Sequence, residues 1–126
     1  MPGGPREPRV LFRIDLGYND LEEGGGRALA ETLRFNPSLT SLKLYKNDLG
    51  EGGGRALTGA LCLNTTVSSL DLGFNGLHEG GGQALAEALR LNTTVTSLDL
   101  SSNDLGVEQE SALLLSWGDR GGSLEL

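Results

Sequence analysis

One pattern recurs four times along the chain, and each copy lies 28 residues after the previous one. Every copy carries a Leu-x-Leu or Ile-x-Leu triplet, an asparagine three residues after it and a leucine two residues further on. The triplets begin at Ile14, Leu42, Leu70 and Leu98, and the asparagines are Asn19, Asn47, Asn75 and Asn103. Such a chain folds as a stack of similar units, because one unit alone cannot bury its apolar edge.

Each copy has the residue pattern of a short strand followed by a helix. Leu42 and Leu44 alternate with Lys43, which is the two-residue period of a strand. A glycine triplet follows the strand pattern in the first three copies. In the first copy the triplet is residues 24–26, and after it Leu29 and Leu33 stand four residues apart, the spacing of one helix face. We therefore expect each helix to begin after its glycine triplet. The asparagine behind each helix is expected to end it in the left-handed conformation; these residues are Asn36, Asn64 and Asn92.

Stacked strand–helix units predict an α/β fold, a right-handed solenoid. Because adjacent strands lie about 4.8 Å apart and packed helices about 8–10 Å apart, the stack curves. The parallel strands then lie on its concave side and the helices on its convex side. The expected organisation is a disordered N-terminal segment, residues 1–10, followed by a repeat domain, residues 11–126. This domain holds four units of 28 residues and a partial fifth strand at residues 124–126.

The composition limits the classes of function. A net charge of −7 argues against a nucleic-acid-binding protein, which would carry a basic patch. With Cys62 as the single cysteine, an intramolecular disulfide and a cysteine metal cluster are both excluded. No apolar stretch has the length of a signal sequence or a membrane span. We therefore expect no membrane association and a cytoplasmic location, with the nucleus as an alternative.

The motif Leu-x-Leu-x-x-Asn-x-Leu, the 28-residue period and the stretch Gly-Gly-Arg-Ala-Leu-Ala-Glu at residues 25–31 resemble the ribonuclease-inhibitor type of leucine-rich repeat. This repeat class is found in ribonuclease inhibitor, in the C-terminal regions of NOD-like receptors and in Ran GTPase-activating proteins. The resemblance implies a non-catalytic scaffold that binds another protein through its concave face and adjacent loops. Two alternatives stay open: a regulator of a small GTPase, and a piece of a longer array like that of NOD-like receptors.

Residues that could carry chemistry have simpler structural interpretations. The four asparagines of the motif are expected to turn inward as a structural ladder that satisfies backbone groups at the bend after each strand. The glycine triplets lack the Lys-Ser/Thr pair of a phosphate-binding loop. His78 and Cys62 have no partner at the spacing of a metal site or a catalytic triad. We therefore expect no catalytic residue, no metal site, no cofactor and no enzymatic activity.

The positions that vary between copies on the predicted concave face are the candidates for partner binding. Acidic residues form a row there that one lysine interrupts, and three of the six aromatic residues lie near the strand ends. The predicted contact residues are Asp15, Tyr18, Lys43, Tyr45, Lys46, Asp71, Phe74 and Asp99. Aromatic anchors amid charge suit a protein partner, whose identity is open, but rings at strand ends also cover an exposed sheet edge. The open ends of the solenoid further predict self-association.

Overall fold

The structure, a computed structural model, describes residues 12–126 and shows five short strands alternating with four helices. The strands are β1 (Arg13–Asp15), β2 (Ser41–Lys43), β3 (Ser69–Asp71), β4 (Ser97–Asp99) and β5 (Ser123–Glu125). The helices are α1 (Glu22–Phe35), α2 (Gly50–Leu61), α3 (His78–Leu91) and α4 (Val107–Trp117). The segment predicted to be disordered, residues 1–10, lies outside the described residues.

All five strands form one parallel sheet in chain order, and a helix connects each strand to the next. A strand and the helix after it make one unit, so the chain is an α/β solenoid, as the repeat predicts. From β1 to β4 the paired residues are 28 apart, as for Ile14 beside Leu42. β5 pairs two residues earlier, because Ser97 lies beside Ser123. Below, the concave face is the sheet surface turned away from the helices, and the convex face is the outer surface of the helices.

The core lies between the sheet and the helices and consists of stacked leucines. In the second unit Leu42 of β2 and Leu44 just after it pack against Leu57 and Leu61 of α2. Complete burial of one such side chain stabilises the fold by about 2 kcal/mol, so the equivalent leucines of successive units hold the stack together. Trp117 packs in the same core at the end of α4. None of the helices described is both long and apolar enough to cross a lipid bilayer.

The glycine triplets lie inside the helices, so the prediction that the helices begin after them is wrong. α1, for example, begins at Glu22, two residues before its triplet. The missing side chains let the first turns of neighbouring helices approach closely. A Cβ on Gly26 would lie 3.1 Å from the Cα of Gly53, and one on Gly54 would lie 2.5 Å from Cδ2 of Leu77. This close packing between units offsets the low helix propensity of glycine.

A buried asparagine joins neighbouring units at the bend after β2, β3 and β4. The Nδ2 of Asn75 donates to the carbonyl oxygens of Leu44 and Leu72, at 2.9 and 3.0 Å. Its Oδ1 accepts the backbone N–H of Asn47 at 2.9 Å. One amide therefore links the backbones of the second and third units. Asn47 and Asn103 make the corresponding bonds to the units before them.

A second set of asparagines stands behind the helices, and the left-handed conformation predicted for them is wrong at two positions. Asn36 has φ −73° and Asn92 has φ −85°, both with extended backbone. The Asn92 side chain instead accepts from the backbone N–H groups of Thr94 and Val95. It also donates to the carbonyl oxygen of Leu61 in the preceding unit, at 2.8 Å. These side chains therefore order the loop before the next strand and satisfy the end of the neighbouring helix.

Arg120 occupies the repeat position of these asparagines in the fourth unit. Its guanidinium donates to the carbonyl oxygens of Leu89 at 2.7 Å and Asn92 at 2.9 Å. Further bonds reach the carbonyl oxygens of Val95, Ser116 and Trp117. The guanidinium carbon also lies 4.9 Å from the ring centroid of Trp117. One arginine thus takes over the role of the asparagine and satisfies carbonyl groups at the ends of both α3 and α4.

Asn75→Leu should lower the free energy of unfolding by about 1–3 kcal/mol, because it leaves buried backbone groups of two units without partners. Asn19→Leu should lower the free energy of unfolding by less, since Asn19 is exposed and its side chain donates to the carbonyl oxygens of Leu16 and Gly17 in its own unit. Urea unfolding of the two variants measures the difference. Equal losses would contradict the importance of the bonds between units.

Arg120→Leu should also destabilise the chain by about 1–3 kcal/mol, because several carbonyl groups lose their donor at once. The matched control is Arg55→Leu, which removes an exposed arginine whose guanidinium lies 3.1 Å from the Glu51 carboxylate. An exposed ion pair of that kind contributes less than about 1 kcal/mol. If thermal unfolding shows the same loss for both variants, the capping role of Arg120 is wrong.

Candidate binding surface on the concave face

The sheet aligns one charged side chain from each strand into a row across the concave face. The strand register places Asp15, Lys43, Asp71 and Asp99 side by side, and Glu125 of β5 continues the row. Because neighbouring strands lie about 4.8 Å apart, the last three carboxylates stand next to one another. The acidic row is defined as Asp15, Asp71, Asp99 and Glu125. Glu125 was missing from the predicted contact residues, although the Leu-x-Leu pattern around it could have revealed it.

Three carboxylates of the acidic row also hold the chain where it leaves the strand. Oδ1 of Asp71 accepts the backbone N–H of Gly73 at 2.9 Å. Asp15 and Asp99 accept the N–H two residues later in the same way. Aspartate at such a turn stabilises the local backbone. These residues therefore have a structural role besides the charge that they place on the surface.

Partial burial raises the pKa of Asp71 above its ordinary value, and the charges of Asp99 and Asp15 add to the rise. The backbone N–H of Gly73 and the ammonium group of Lys43 act in the opposite direction. The ionised form of Asp71 is thus disfavoured by desolvation and by like charge. A second cation beside it would favour the ionised form and so offset these effects.

Three aromatic rings meet beside the acidic row. The ring centroids of Tyr18 and Tyr45 are 5.2 Å apart and those of Tyr45 and Phe74 are 5.3 Å apart, both in edge-to-face geometry. This is a favourable arrangement for aromatic pairs. Tyr18 is nevertheless 68% exposed and Phe74 is 43% exposed. The three predicted aromatic contact residues, Tyr18, Tyr45 and Phe74, therefore form one group, the aromatic cluster, whose two outer rings are exposed and whose central ring is half-buried.

Tyr18, Lys46 and Phe74 occupy the same repeat position and share the left-handed backbone conformation, with φ of 61°, 52° and 55°. That conformation costs roughly 1–2 kcal/mol for a residue with a side chain. Hydrogen bonds between units maintain it, because each of the three N–H groups donates to a carbonyl oxygen of the next unit. The bond from Lys46 to Gly73 is 3.0 Å long. The loop backbone is therefore held in place independently of the side chains it carries.

Tyr45 fits on the sheet face because the residues at its repeat position in the adjacent units are Gly17 and Gly73. A Cβ on Gly73 would lie 3.1 Å from Cδ2 of Tyr45 and 3.2 Å from Oδ1 of Asp71. The tyrosine ring and the carboxylate thus approach the same point on the concave face. They line one depression together with Asp15, Gly17, Tyr18 and Lys43.

Lys46 extends over the aromatic cluster. Its Nζ lies 5.0 Å from the ring centroid of Phe74, 5.3 Å from that of Tyr18 and 5.7 Å from that of Tyr45. An ammonium group within about 6 Å of a ring face is attracted by about 0.5–1 kcal/mol at an exposed site. All four residues were among the predicted contact residues, but the contact of Lys46 with all three rings was not predicted.

Tyr45 connects the aromatic cluster to the acidic row. A hydrogen bond with the Tyr18 side chain raises the pKa of Tyr45, as do partial desolvation and the negative charges of Asp71 and Asp99. The Tyr45 hydroxyl therefore lies in the electrostatic field of the carboxylates. Aromatic and acidic residues form one continuous surface rather than two separate patches.

Two further candidates from the sequence have ordinary positions. Cys62 is exposed at the end of α2. His78 is the first residue of α3, and its Nδ1 lies 3.7 Å from an oxygen of Asp104, with both side chains mostly exposed. Within residues 12–126, no group of histidine, cysteine, aspartate and glutamate side chains is arranged to hold a metal ion.

Comparisons with known proteins identify the repeat. The family model described as Leucine Rich repeat matches residues 35–57, 63–86 and 91–108, slightly more than half of the chain. Among solved structures, leiomodin-1 actin-binding site 2 aligns with a TM-score of 0.77 at 22% identity, over 91% of this chain and 72% of that one. At this identity the likeness shows the fold alone. No curated protein sequence matches the chain significantly.

Asp71→Asn should increase stability at neutral pH, because asparagine keeps an oxygen for the Gly73 N–H and removes the disfavoured charge. The folded-state pKa is raised, so the ionised carboxylate lowers stability above that pKa, and the loss disappears as the pH falls through it. We expect a gain below about 1 kcal/mol, since the side chain is partly exposed. Urea unfolding at neutral and at strongly acidic pH measures it.

The control for this change is Asp48→Asn, which neutralises an exposed loop aspartate in a conformation that asparagine also tolerates. It should leave the urea midpoint nearly unchanged at both pH values. A loss of stability for Asp71→Asn at neutral pH, or a gain that persists in acid, would contradict the electrostatic interpretation.

Proposed function

The chain belongs to the leucine-rich repeat family, and we propose that it is a non-catalytic scaffold that binds another protein through its concave face and adjoining loops. The observation that carries the proposal is the aromatic cluster with Lys46 above it. Half of the six aromatic residues of the chain gather there, and Tyr18 and Phe74 stay exposed while Tyr45 is half-buried between them. Tyrosine, phenylalanine and neighbouring charges of this kind are typical of the centre of a protein interface.

The position of the rings argues against the alternative that they simply cover the edge of the sheet. Within residues 12–126, β1 is an edge strand of the sheet, so Tyr18 after it could serve that purpose. Tyr45 and Phe74, however, follow β2 and β3, which have hydrogen-bonded strands on both sides. Two of the three rings therefore have no sheet edge to cover, which favours a role in partner binding.

The size of the sheet face requires that loops take part in any contact. Five strands at about 4.8 Å spacing span about 20 Å, and three residues of each add about 10 Å, giving roughly 200 Å². A stable complex buries about 800 Å² on each partner. Residues on the loops, such as Tyr18, Lys46 and Phe74, must therefore supply much of the contact area.

The comparisons support the general proposal, and the repeat geometry supports a finer one. The leiomodin-1 structure is named for an actin-binding site, so that protein carries a protein-binding surface on this architecture. The spacing of 28 residues between paired strands supports assignment to the ribonuclease-inhibitor type of repeat. A cytoplasmic location is proposed as well, supported by the exposed thiol of Cys62, which a reducing compartment would keep unpaired.

The test is a double variant that removes two of the three rings of the aromatic cluster and should leave the fold intact. Tyr45→Ser with Phe74→Ser places serine where the fourth unit already has Ser101 and Ser102. Tagged wild type and variant are used to capture proteins from cell extract, and the captured proteins are compared by quantitative mass spectrometry. A partner that binds the concave face should be reduced at least about tenfold, which corresponds to about 1.4 kcal/mol.

The control removes a comparable cation–aromatic pair from the convex face. Arg34 lies over the ring of Phe35 at 5.4 Å, and both residues are exposed on α1. Arg34→Ala with Phe35→Leu, the residue present as Leu63 and Leu91 in later units, should leave capture unchanged. If instead the control variant loses the partners that the serine variant keeps, the convex helices are the binding surface and the proposal fails.

A further inference from the structure

We propose that the aromatic cluster is the binding site for an arginine side chain of the partner protein, and that Lys46 occupies this site when the partner is absent. The inference rests on the proposed function, because it specifies the chemistry of what the concave face binds. It is carried by the cation that already lies over the rings, by the carboxylates beside them and by the depression that both groups line.

The contact of Lys46 shows that the cluster accepts a cation. Its Nζ lies within 5.7 Å of all three ring centroids, and the electron-rich ring faces attract positive charge. Lys46 is exposed, and the ion pairs found within residues 12–126 do not include it. A flexible side chain held by weak ring contacts alone can move aside for a better-placed cation.

The surrounding charges favour a basic ligand over an acidic one. The acidic row contributes four carboxylates, whereas Lys43 and Arg13 are the cations that the described strands contribute to the same sheet. The loops behind the strands add three exposed aspartates at one repeat position, Asp20, Asp48 and Asp104. Complementary charge of this kind guides a basic segment to the surface and repels an acidic one.

The depression suits a guanidinium group better than an ammonium group. Cδ2 of Tyr45 and Oδ1 of Asp71 both lie within 3.2 Å of the point where a Cβ of Gly73 would stand. A planar guanidinium can stack on an aromatic face while its N–H groups reach a carboxylate, which an ammonium group cannot do equally well. An arginine stacked on Tyr45 could therefore donate to Asp71 and offset the cost of its desolvation.

The probe is the peptide acetyl-Gly-Gly-Arg-Gly-Gly-amide, with citrulline in place of arginine as the uncharged isostere. Each peptide is titrated into the ¹⁵N-labelled full chain at constant ionic strength, and backbone amide shifts are followed by NMR. The arginine peptide should give saturable shifts at residues 18, 45, 46 and 74. The citrulline peptide should give none there.

Lys46→Asn removes the competing cation, and asparagine tolerates the left-handed backbone at this position. The affinity for the arginine peptide should then increase about threefold, the size of one exposed cation–π contact. The charge-matched control is Arg55→Gln on α2, where the next unit already has Gln83, and it should leave the affinity unchanged. In the Tyr45→Ser, Phe74→Ser background, Lys46→Asn should change the affinity much less, because two of the three rings that Lys46 contacts are gone.

Two results would overturn the inference while leaving the proposed function intact. One is weaker binding of the arginine peptide by Lys46→Asn. The other is a set of shifts confined to the Asp99 and Glu125 end of the sheet. In either case the serine variant would still lose its captured proteins. The reverse pattern, in which the arginine peptide binds the rings but the serine variant keeps every captured protein, would contradict the proposed function itself.

Discussion

The hydrogen bonds of the asparagine side chains between units determine how the whole chain is arranged. The amide of Asn75 bonds to backbone groups on both sides of one unit boundary, and Asn47 and Asn103 repeat the arrangement. Breaking these bonds would leave buried polar groups without partners, which lowers the free energy of unfolding. The units are therefore held at one spacing between their strands. The parallel register of the sheet and the alignment of one side chain per strand follow from that spacing.

The same bonds separate the part of each unit that must stay constant from the part that can vary. Backbone bonds between units accompany the left-handed conformation at one loop position, whether tyrosine, lysine or phenylalanine stands there, and Ser102 adopts the same conformation in the fourth unit. Side chains at this position are therefore free to suit a ligand, because the fold does not depend on their identity. In the second unit this position holds Lys46, whose ammonium group contacts Tyr45 of its own unit and one ring from each neighbouring unit.

The fold was predictable because the pattern of leucines and asparagines is local and repeats at one spacing. Details that depend on contact between units were not. The glycine triplets were expected in front of the helices, yet they lie within them. Their missing side chains let the next unit approach closely, as at Gly26 and Gly54. The left-handed conformation expected for Asn36 and Asn92 was wrong, because their side chains order the following loop instead. Arg120 was overlooked, since its role depends on carbonyl groups of the previous unit.

The sequence by itself determined the solenoid, its order of strands and helices, and the residues that point outward from the concave face. These features depend on periodic burial of apolar side chains, which the 28-residue spacing of the leucines already predicts. Only the tertiary structure decided that Tyr18, Tyr45 and Phe74 meet around the ammonium group of Lys46 and that Glu125 extends the acidic row. Such contacts join residues of different units, and their geometry depends on the stacking distance between units, which no single repeat contains.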